Sequence, residues 1–304
     1  MSTLVIHPGP LGDLLLAVPA LRAMRAASPS APLVLAAQPR LGALLHALGI
    51  VDGHLDFEGL GLGPLFVDDG PAPSLPALNG VTRVVCLFGA RDAVFTRRLN
   101  EVAPGLVVGS PTGDGVNTVW EHLLATVGAP SDSWCRPIGV PPVVAGAGRA
   151  GLETAGWDGH SALLIVHPGA GGAGKRWPVG GFAEVLVALG AARRLTILLN
   201  EGPADLDAVA ALGSRLDGRA RVLRGLTLPE LAGALSHATV YLGNDSGPSH
   251  LAASVGVASV ILYTEANRAW WPWSPAARPV SVTATHLDAR DVAAVRERLA
   301  ALLD

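Results

Sequence analysis

Unbroken apolar runs alternate along this chain with longer stretches whose apolar residues recur at helical spacing. In the first half, residues 4–6, 33–37 and 84–88 read as strands. Between them lie helical stretches at 11–27 and 41–48, and after them one that carries Arg91, Arg97 and Arg98. Pro19 either kinks the first of these helices or starts its second part. In the second half, the strand-like runs are 162–167, 195–199, 221–223, 239–242 and 258–263, again with helical stretches between them. Strands alternating with helices imply βα units and parallel sheets. Thr227-Leu228-Pro229-Glu230 is a capping box with proline in the first turn and predicts a helix start. Residues 288–304 read as an amphipathic helix that closes the chain.

Two segments break the alternation. Residues 58–80 are rich in glycine and proline and read as a long surface loop. Residues 129–151, APSDSWCRPIGVPPVVAGAGRAG, are dense in both and show no helical period. They read as a linker between an N-terminal domain, 1–150, and a C-terminal domain, 151–304. The string Val5-Ile6-His7-Pro8-Gly9 returns 160 residues later as Ile165-Val166-His167-Pro168-Gly169. Chance can produce so short an echo. So can two Rossmann-like domains, each placing a Gly-rich turn at the carboxyl end of its first strand, where open α/β sheets bind ligands.

Composition narrows the picture. The 304 residues leave room for two domains, and 50% apolar against 15% charged residues excludes global disorder. The net charge is −3 and neither half is basic, so a bulk nucleic-acid-binding body is excluded. Cys86 and Cys135 lie far apart with no CxxC, which argues against a disulfide scaffold or cysteine zinc site and fits a reducing compartment. The nine histidines show no HxxH or HExxH spacing, so no metal site is expected. The start, MSTLVIHPGPLGD, shows no secretory signal. The uncharged run 246–264 contains Gly-Pro, a histidine and several hydroxyls, and reads as a buried helix-turn-strand instead of a membrane span. The expectation is a cytoplasmic protein, with peripheral contact at the inner face of the cytoplasmic membrane left open.

Three Gly-rich turns could carry chemistry. In Gly243-Asn244-Asp245-Ser246-Gly247-Pro248-Ser249-His250 a strand feeds an acid and then an apolar helix with proline in its first turn. Unsatisfied N–H groups and the helix dipole there suit a diphosphate, and Gly247 permits close approach. Asp245 or Ser246 could equally serve only as a cap. The stretch from His167 to Pro178 resembles a phosphate loop without the GxxxxGK[ST] spacing. It holds Lys175, the only lysine beside 21 arginines, which suggests that a compact ammonium is wanted there, unless the position is a surface accident. In Gly9-Pro10-Leu11-Gly12-Asp13, Asp13 is either a dipole-stabilised helix-start acid or a carboxylate that removes a proton. Asp205, just past a strand, could bind ribose hydroxyls or stay solvated. Trp270-Trp271-Pro272-Trp273 holds three of seven tryptophans and reads as an interdomain plug or a sugar-stacking platform.

Taken together, these motifs resemble glycosyltransferase family 9, the lipopolysaccharide heptosyltransferase-like family. The likeness runs through LGDLLLAVPALRAMR, NTVWEHLLATVGAP, HPGAGGAGKRWP, NEGPAD, LTLPELAGALSHATVYLGNDSGPSHLAASVG and a divergent tail, YTEANRAWWPW. It implies an α/β GT-B fold: two Rossmann-like domains with parallel sheets facing across a cleft, acceptor on the first and nucleotide sugar on the second. It also implies inverting, metal-independent transfer from a nucleotide sugar, usually ADP-heptose, to a lipopolysaccharide core or related acceptor, with no cofactor besides that donor substrate. The partners implied are a nucleotide sugar and a glycolipid or oligosaccharide. Asp13 then matches the general base and Lys175 the lysine near the donor phosphates. Asp245, Ser246, Gly247 and His250 match the donor-binding turn. Asp205 stands where a glutamate contacts the donor ribose, and Leu226 and Thr227 lie beside the base. His7 replaces a basic residue and the tail lacks an FGPTDP-like string; both depart from the family pattern. The competing readings are a nucleotide-sugar epimerase of the same architecture and a non-catalytic nucleotide-binding homologue. A Rossmann dehydrogenase is disfavoured, because HPGPLGD lacks GxGxxG.

Overall fold

The structure, a computed structural model, describes residues 2–71, 73–113, 115–263 and 265–304, and of residues 265–267 the backbone. Its contacts divide the chain into two units, Met1–Cys135 and Arg136–Asp304.

The first unit runs β1 (Ser2–Ile6), α1 (Leu11–Leu16), α2 (Val18–Ala27), β2 (Leu33–Ala37), α3 (Pro39–Ala47), β3 (Gly53–Asp56), β4 (Val81–Cys86), α4 (Ala93–Val102), β5 (Val107–Val108) and α5 (Val119–Thr126). The second runs α6 (Pro142–Thr154), β6 (Ala162–His167), α7 (Val179–Ala192), β7 (Leu195–Asn200), α8 (Leu206–Leu216), β8 (Arg221–Leu223), α9 (Leu228–Leu235), β9 (Val240–Asn244), α10 (Gly247–Ser254), β10 (Ser259–Tyr263), β11 (Ala277–Ser281) and α11 (Ala289–Leu303).

All strand pairs in both sheets are parallel. The strand orders are β3-β2-β1-β4-β5 and β11-β10-β9-β6-β7-β8. In both units the first strand is central. The second and third strands extend the sheet to one side, and the later ones extend it to the other. This is the doubly wound order, and its switch point, where ligands bind in open α/β sheets, falls between β1 and β4 and between β6 and β9. The repeated His-Pro-Gly string lies at these two places, so the echo reflects shared topology. Leu4, Ile6, Val84, Phe95 and Leu99 fill the first core. Leu164, Val166, Phe182, Leu186, Leu242 and Val260 fill the second.

Of the two alternatives for Pro19, the structure shows the second: it lies in the first turn of a separate helix, α2. Several other expectations need correction. Residues 58–80 are not merely a surface loop. Leu60, Leu62, Leu65 and Leu75 enter the first core, and buried Arg98 donates to the carbonyls of Gly70 and Pro71 at 3.0 and 3.1 Å. β3, β5 and β11 had no apolar run to reveal them: β3 exposes most of its residues, β5 has two, and β11 contains Arg278 and Pro279. The run 246–264 folds as α10 and β10, with Thr264 outside the described residues. Among the described residues, no helix is long and apolar enough to cross a membrane.

The supposed linker contains α6, which packs on α9. The helix was hidden because a glycine stands at the centre of its contact face. Val144, Gly148 and Leu152 recur every four residues and are buried. A Cβ on Gly148 would run into the backbone of Gly233 and Ala234, and one on Gly233 into the Val144 carbonyl. His237, two residues past the end of α9, meets the Ala145 carbonyl at 3.0 Å. The two backbones therefore touch with no side chain between them.

Two measurements follow from this packing. Gly148→Ala and Gly233→Ala each destabilise the protein by about 1–3 kcal/mol in urea unfolding, because backbone must move to admit the methyl. Gly146→Ala, which points into open space on the same helix, is neutral or stabilising. The fully buried His7 provides another check. Its Nδ1 accepts the Gly9 N–H at 3.2 Å, and burial pushes its pKa from 6.5 down to about 4. The unfolded chain thus takes up this proton first. The stability it contributes is present above pH 6.5 and is lost as pH falls towards 4, on the order of 3 kcal/mol in all. His7→Gln flattens the stability curve across that window.

Candidate active site

The second switch point brings two of the Gly-rich turns together. After β6 the chain forms the loop 168–178, and after β9 it forms the turn 244–247 that opens α10. Asn244 joins them: its Oδ1 accepts the Trp177 N–H at 3.0 Å, and its Nδ2 donates to the Pro168 carbonyl at 2.7 Å. The loop is closed on itself by Arg176, whose Nε and Nη2 donate to the Ala170 carbonyl at 3.2 and 3.0 Å. A short 3₁₀ turn, Ala173–Lys175, then delivers Lys175.

Lys175 Nζ lies 2.7 Å from Asp245 Oδ2, and His250 Nε2 lies 3.4 Å from Asp245 Oδ1. The Asp245 side chain is 4% exposed and that of Lys175 41%. Burial alone would raise the carboxyl pKa. The His250 hydrogen bond and charge, followed by those of Lys175, outweigh it and hold Asp245 below its ordinary value. The buried acid is therefore ionised at neutral pH, with a half-exposed ammonium on its outer side. His250 Nδ1 is buried without a hydrogen-bond partner. Trp270 lies with its ring centroid 6.0 Å from Lys175 Nζ, at the outer limit for a cation over an aromatic face.

The start of α10 is open. Ser246 occupies the cap position, but no side chain caps the helix. Its hydroxyl lies 3.0 Å from that of Ser249, which donates to the Asn244 carbonyl at 2.5 Å and lies 3.0 Å from the Tyr241 hydroxyl. The hydroxyls thus serve one another and the strand end, and no side chain caps the first-turn N–H groups of α10 at Gly247 and Ser249. Neither Asp245 nor Ser246 is a mere cap.

The other predicted residues are placed differently. Thr227 caps α9. Its N–H and hydroxyl reach Glu230 Oε2, both at 2.7 Å, so its side chain is occupied within the capping box. Half-buried Leu226 rests against Gly151 of α6. Asp205 is nearly buried and faces His167, not solvent. Asp13 is half-buried in the first turn of α1, at the carboxyl end of β1 in the first unit. Trp270 and Trp271 pack against the β10 side of their own unit, near Ile261 and Tyr263. Of the tail string, Thr264 and the side chains of 265–267 lie outside the described residues. Among the described residues, no three histidine, cysteine or acidic side chains gather as a metal site.

Sequence reasoning missed Asn244, Arg176, Asn200 and the buried ring of His167 as members of this cluster. The Asn244 signal was available: a buried amide at a strand end needs partners on both its oxygen and its nitrogen.

Comparison with known proteins agrees with this picture. Residues 149–298 match the family model described as glycosyltransferase family 9 (heptosyltransferase). A lipopolysaccharide heptosyltransferase 3 of Escherichia coli is 30% identical over 168 residues, covering 53% of this chain and 48% of that protein. The chain thus spans about half the length of the curated relatives it matches. Among solved structures, a glycosyl transferase family 9 protein of Veillonella parvula superposes with a TM-score of 0.77 at 18% identity, over 99% of this chain and 97% of that one. The E. coli ADP-heptose lps heptosyltransferase II superposes with a TM-score of 0.75 at 21% identity, over 100% and 98%. These likenesses extend the two-domain GT-B fold class over the whole chain. Through its residues 149–298, the chain is similar to glycosyltransferase family 9, the heptosyltransferase family.

Proposed function

We propose that this protein is a glycosyltransferase that moves heptose from ADP-heptose to a lipopolysaccharide core or related glycan, with inversion at the anomeric carbon. The observation that carries the reading is the buried, ionised Asp245 holding Lys175 beside the uncapped start of α10. An uncapped helix start with a tethered ammonium is a receptor for a diphosphate. The match of residues 149–298 to this family favours transfer over the epimerase and the non-catalytic readings.

In this reading the donor diphosphate rests on the first-turn N–H groups of α10. Leu226 offers the base an apolar contact, with Thr227 beside it. Lys175 is half-exposed and can turn its ammonium towards the leaving diphosphate while Asp245 keeps it close. His250 shares the Asp245 charge, so the carboxylate stays ionised when Lys175 turns away. The first unit takes the acceptor, and Asp13 receives the proton of its hydroxyl. That oxygen forms the new bond to the anomeric carbon from the face opposite the diphosphate. The old carbon–oxygen bond breaks, and its electron pair leaves on the β-phosphate oxygen, where Lys175 offsets the charge. The acceptor is a glycolipid or oligosaccharide, and the work is done in the cytoplasm at the inner face of the membrane.

Asp13→Asn folds, binds ADP as the wild type does and loses about 10²–10⁴-fold in transfer rate. Unchanged turnover would remove Asp13 as the base. In calorimetry, ADP binds more tightly than UDP or GDP, and preference for UDP would move the assignment to the epimerase. The pH dependence tests the Lys175 tether. The stability contributed by a depressed carboxylate is present above its ordinary pKa of 3.8 and is lost as pH falls through the lower folded value. Lys175→Met removes one lowering influence, so acid unfolding followed by circular dichroism begins at higher pH than in the wild type.

A further inference from the structure

We infer that Asp205 is a positioning residue that holds the Lys175 loop in place through Gly169 and His167, and that it does not bind the donor ribose. The inference rests on the nucleotide-diphosphate reading of the second unit.

Asp205 occupies the cap position of α8 but makes no side-chain cap hydrogen bond. Its carboxylate turns inward instead, and the side chain is 12% exposed. A Cβ on Gly169 would collide with Asp205 Oδ1, and one on Gly202 would come within 2.7 Å of Oδ2. The carboxylate is thus wedged between two stretches of backbone that only glycine leaves open. Oδ2 faces His167 Nε2 at 3.6 Å. On the other side of that ring, Nδ1 lies 3.1 Å from the Asn200 carbonyl and 3.2 Å from Asn200 Nδ2. Asn200 ends β7 and His167 ends β6, so the ring is fixed between two neighbouring strands.

Gly169 lies between this cluster and the loop that Arg176 closes onto Ala170. With Asp205 against one end and Asn244 gripping Pro168 and Trp177, the path to Lys175 has little freedom. A carboxylate in contact with the Gly169 backbone cannot also turn outward to a diol without vacating the space that shapes this loop.

The test pairs a ligand-free measurement with a ligand series on the full chain. In hydrogen exchange without nucleotide, the amides of 170–176 open about tenfold faster in Asp205→Ala, and less so in Asp205→Asn, which keeps the wedge. Gly169→Ala, with the carboxylate intact, speeds the same amides. Wild-type exchange in all three variants overturns the proposal. In calorimetry, Asp205→Ala weakens ADP, 2′-deoxy-ADP, 3′-deoxy-ADP and inorganic pyrophosphate by a common factor and leaves the discrimination between ADP and its deoxy analogues as in the wild type. Unchanged pyrophosphate binding with that discrimination abolished would make Asp205 a ribose ligand and overturn the proposal. Wild-type protein that binds neither ADP nor pyrophosphate defeats the nucleotide reading alone, because the exchange measurement decides the loop's dependence on Asp205 independently.

Discussion

A carboxylate removed from water must be compensated or it will not stay charged, and the second unit is arranged around that demand at Asp245. Burial penalises its charge, His250 and Lys175 offset the penalty, and the balance leaves it ionised. Everything else in the cluster serves to bring those partners to it. Arg176 shapes the loop that carries Lys175, Asn244 fastens that loop to β9, and α10 presents His250 one turn after the acid. An ion pair of this kind adds little to stability for its own sake. Its value lies in keeping a lone ammonium at the rim of a helix start whose N–H groups are open.

The fold was legible where burial and periodicity coincide. The inner strands β2 and β6 fall where the apolar runs placed them, because inner strands of a parallel sheet are covered on both faces. The capping box at Thr227 located the start of α9 for a local reason: both of its hydrogen bonds form within four residues. Edge strands such as β3 and β11 were illegible because they are exposed or carry proline, so their sequences do not record their pairing. Helix α6 was missed for the opposite reason. Its buried face is Val144, Gly148 and Leu152, and the central glycine, which a search for large apolar residues treats as absence, breaks the pattern.

The site was legible as a set of turns but not as a set of contacts. Sequence spacing placed Asp245, His250 and Lys175 near one sheet edge, since strand ends in a doubly wound sheet converge there. It could not show that Lys175 pairs with Asp245 across 70 residues, nor that Asp205 turns inward. Side-chain direction depends on what space the neighbouring backbone leaves, and that is set by glycines far away in the chain. Asp205 makes the point: the residue type suits a ribose, but the gap at Gly169 decides where the carboxylate goes.

The glycine contact between α6 and α9 also bears on how such chains can be recombined. A helix whose backbone rests directly on another cannot be exchanged for an unrelated one of similar polarity, since almost any other residue at Gly148 would displace its neighbour. The segment from Pro142 onward therefore travels with the C-terminal half. A chimera that borrows a foreign N-terminal half should be joined near Cys135, ahead of this helix, and not within the glycine-rich helix itself, whose sequence superficially resembles a hinge.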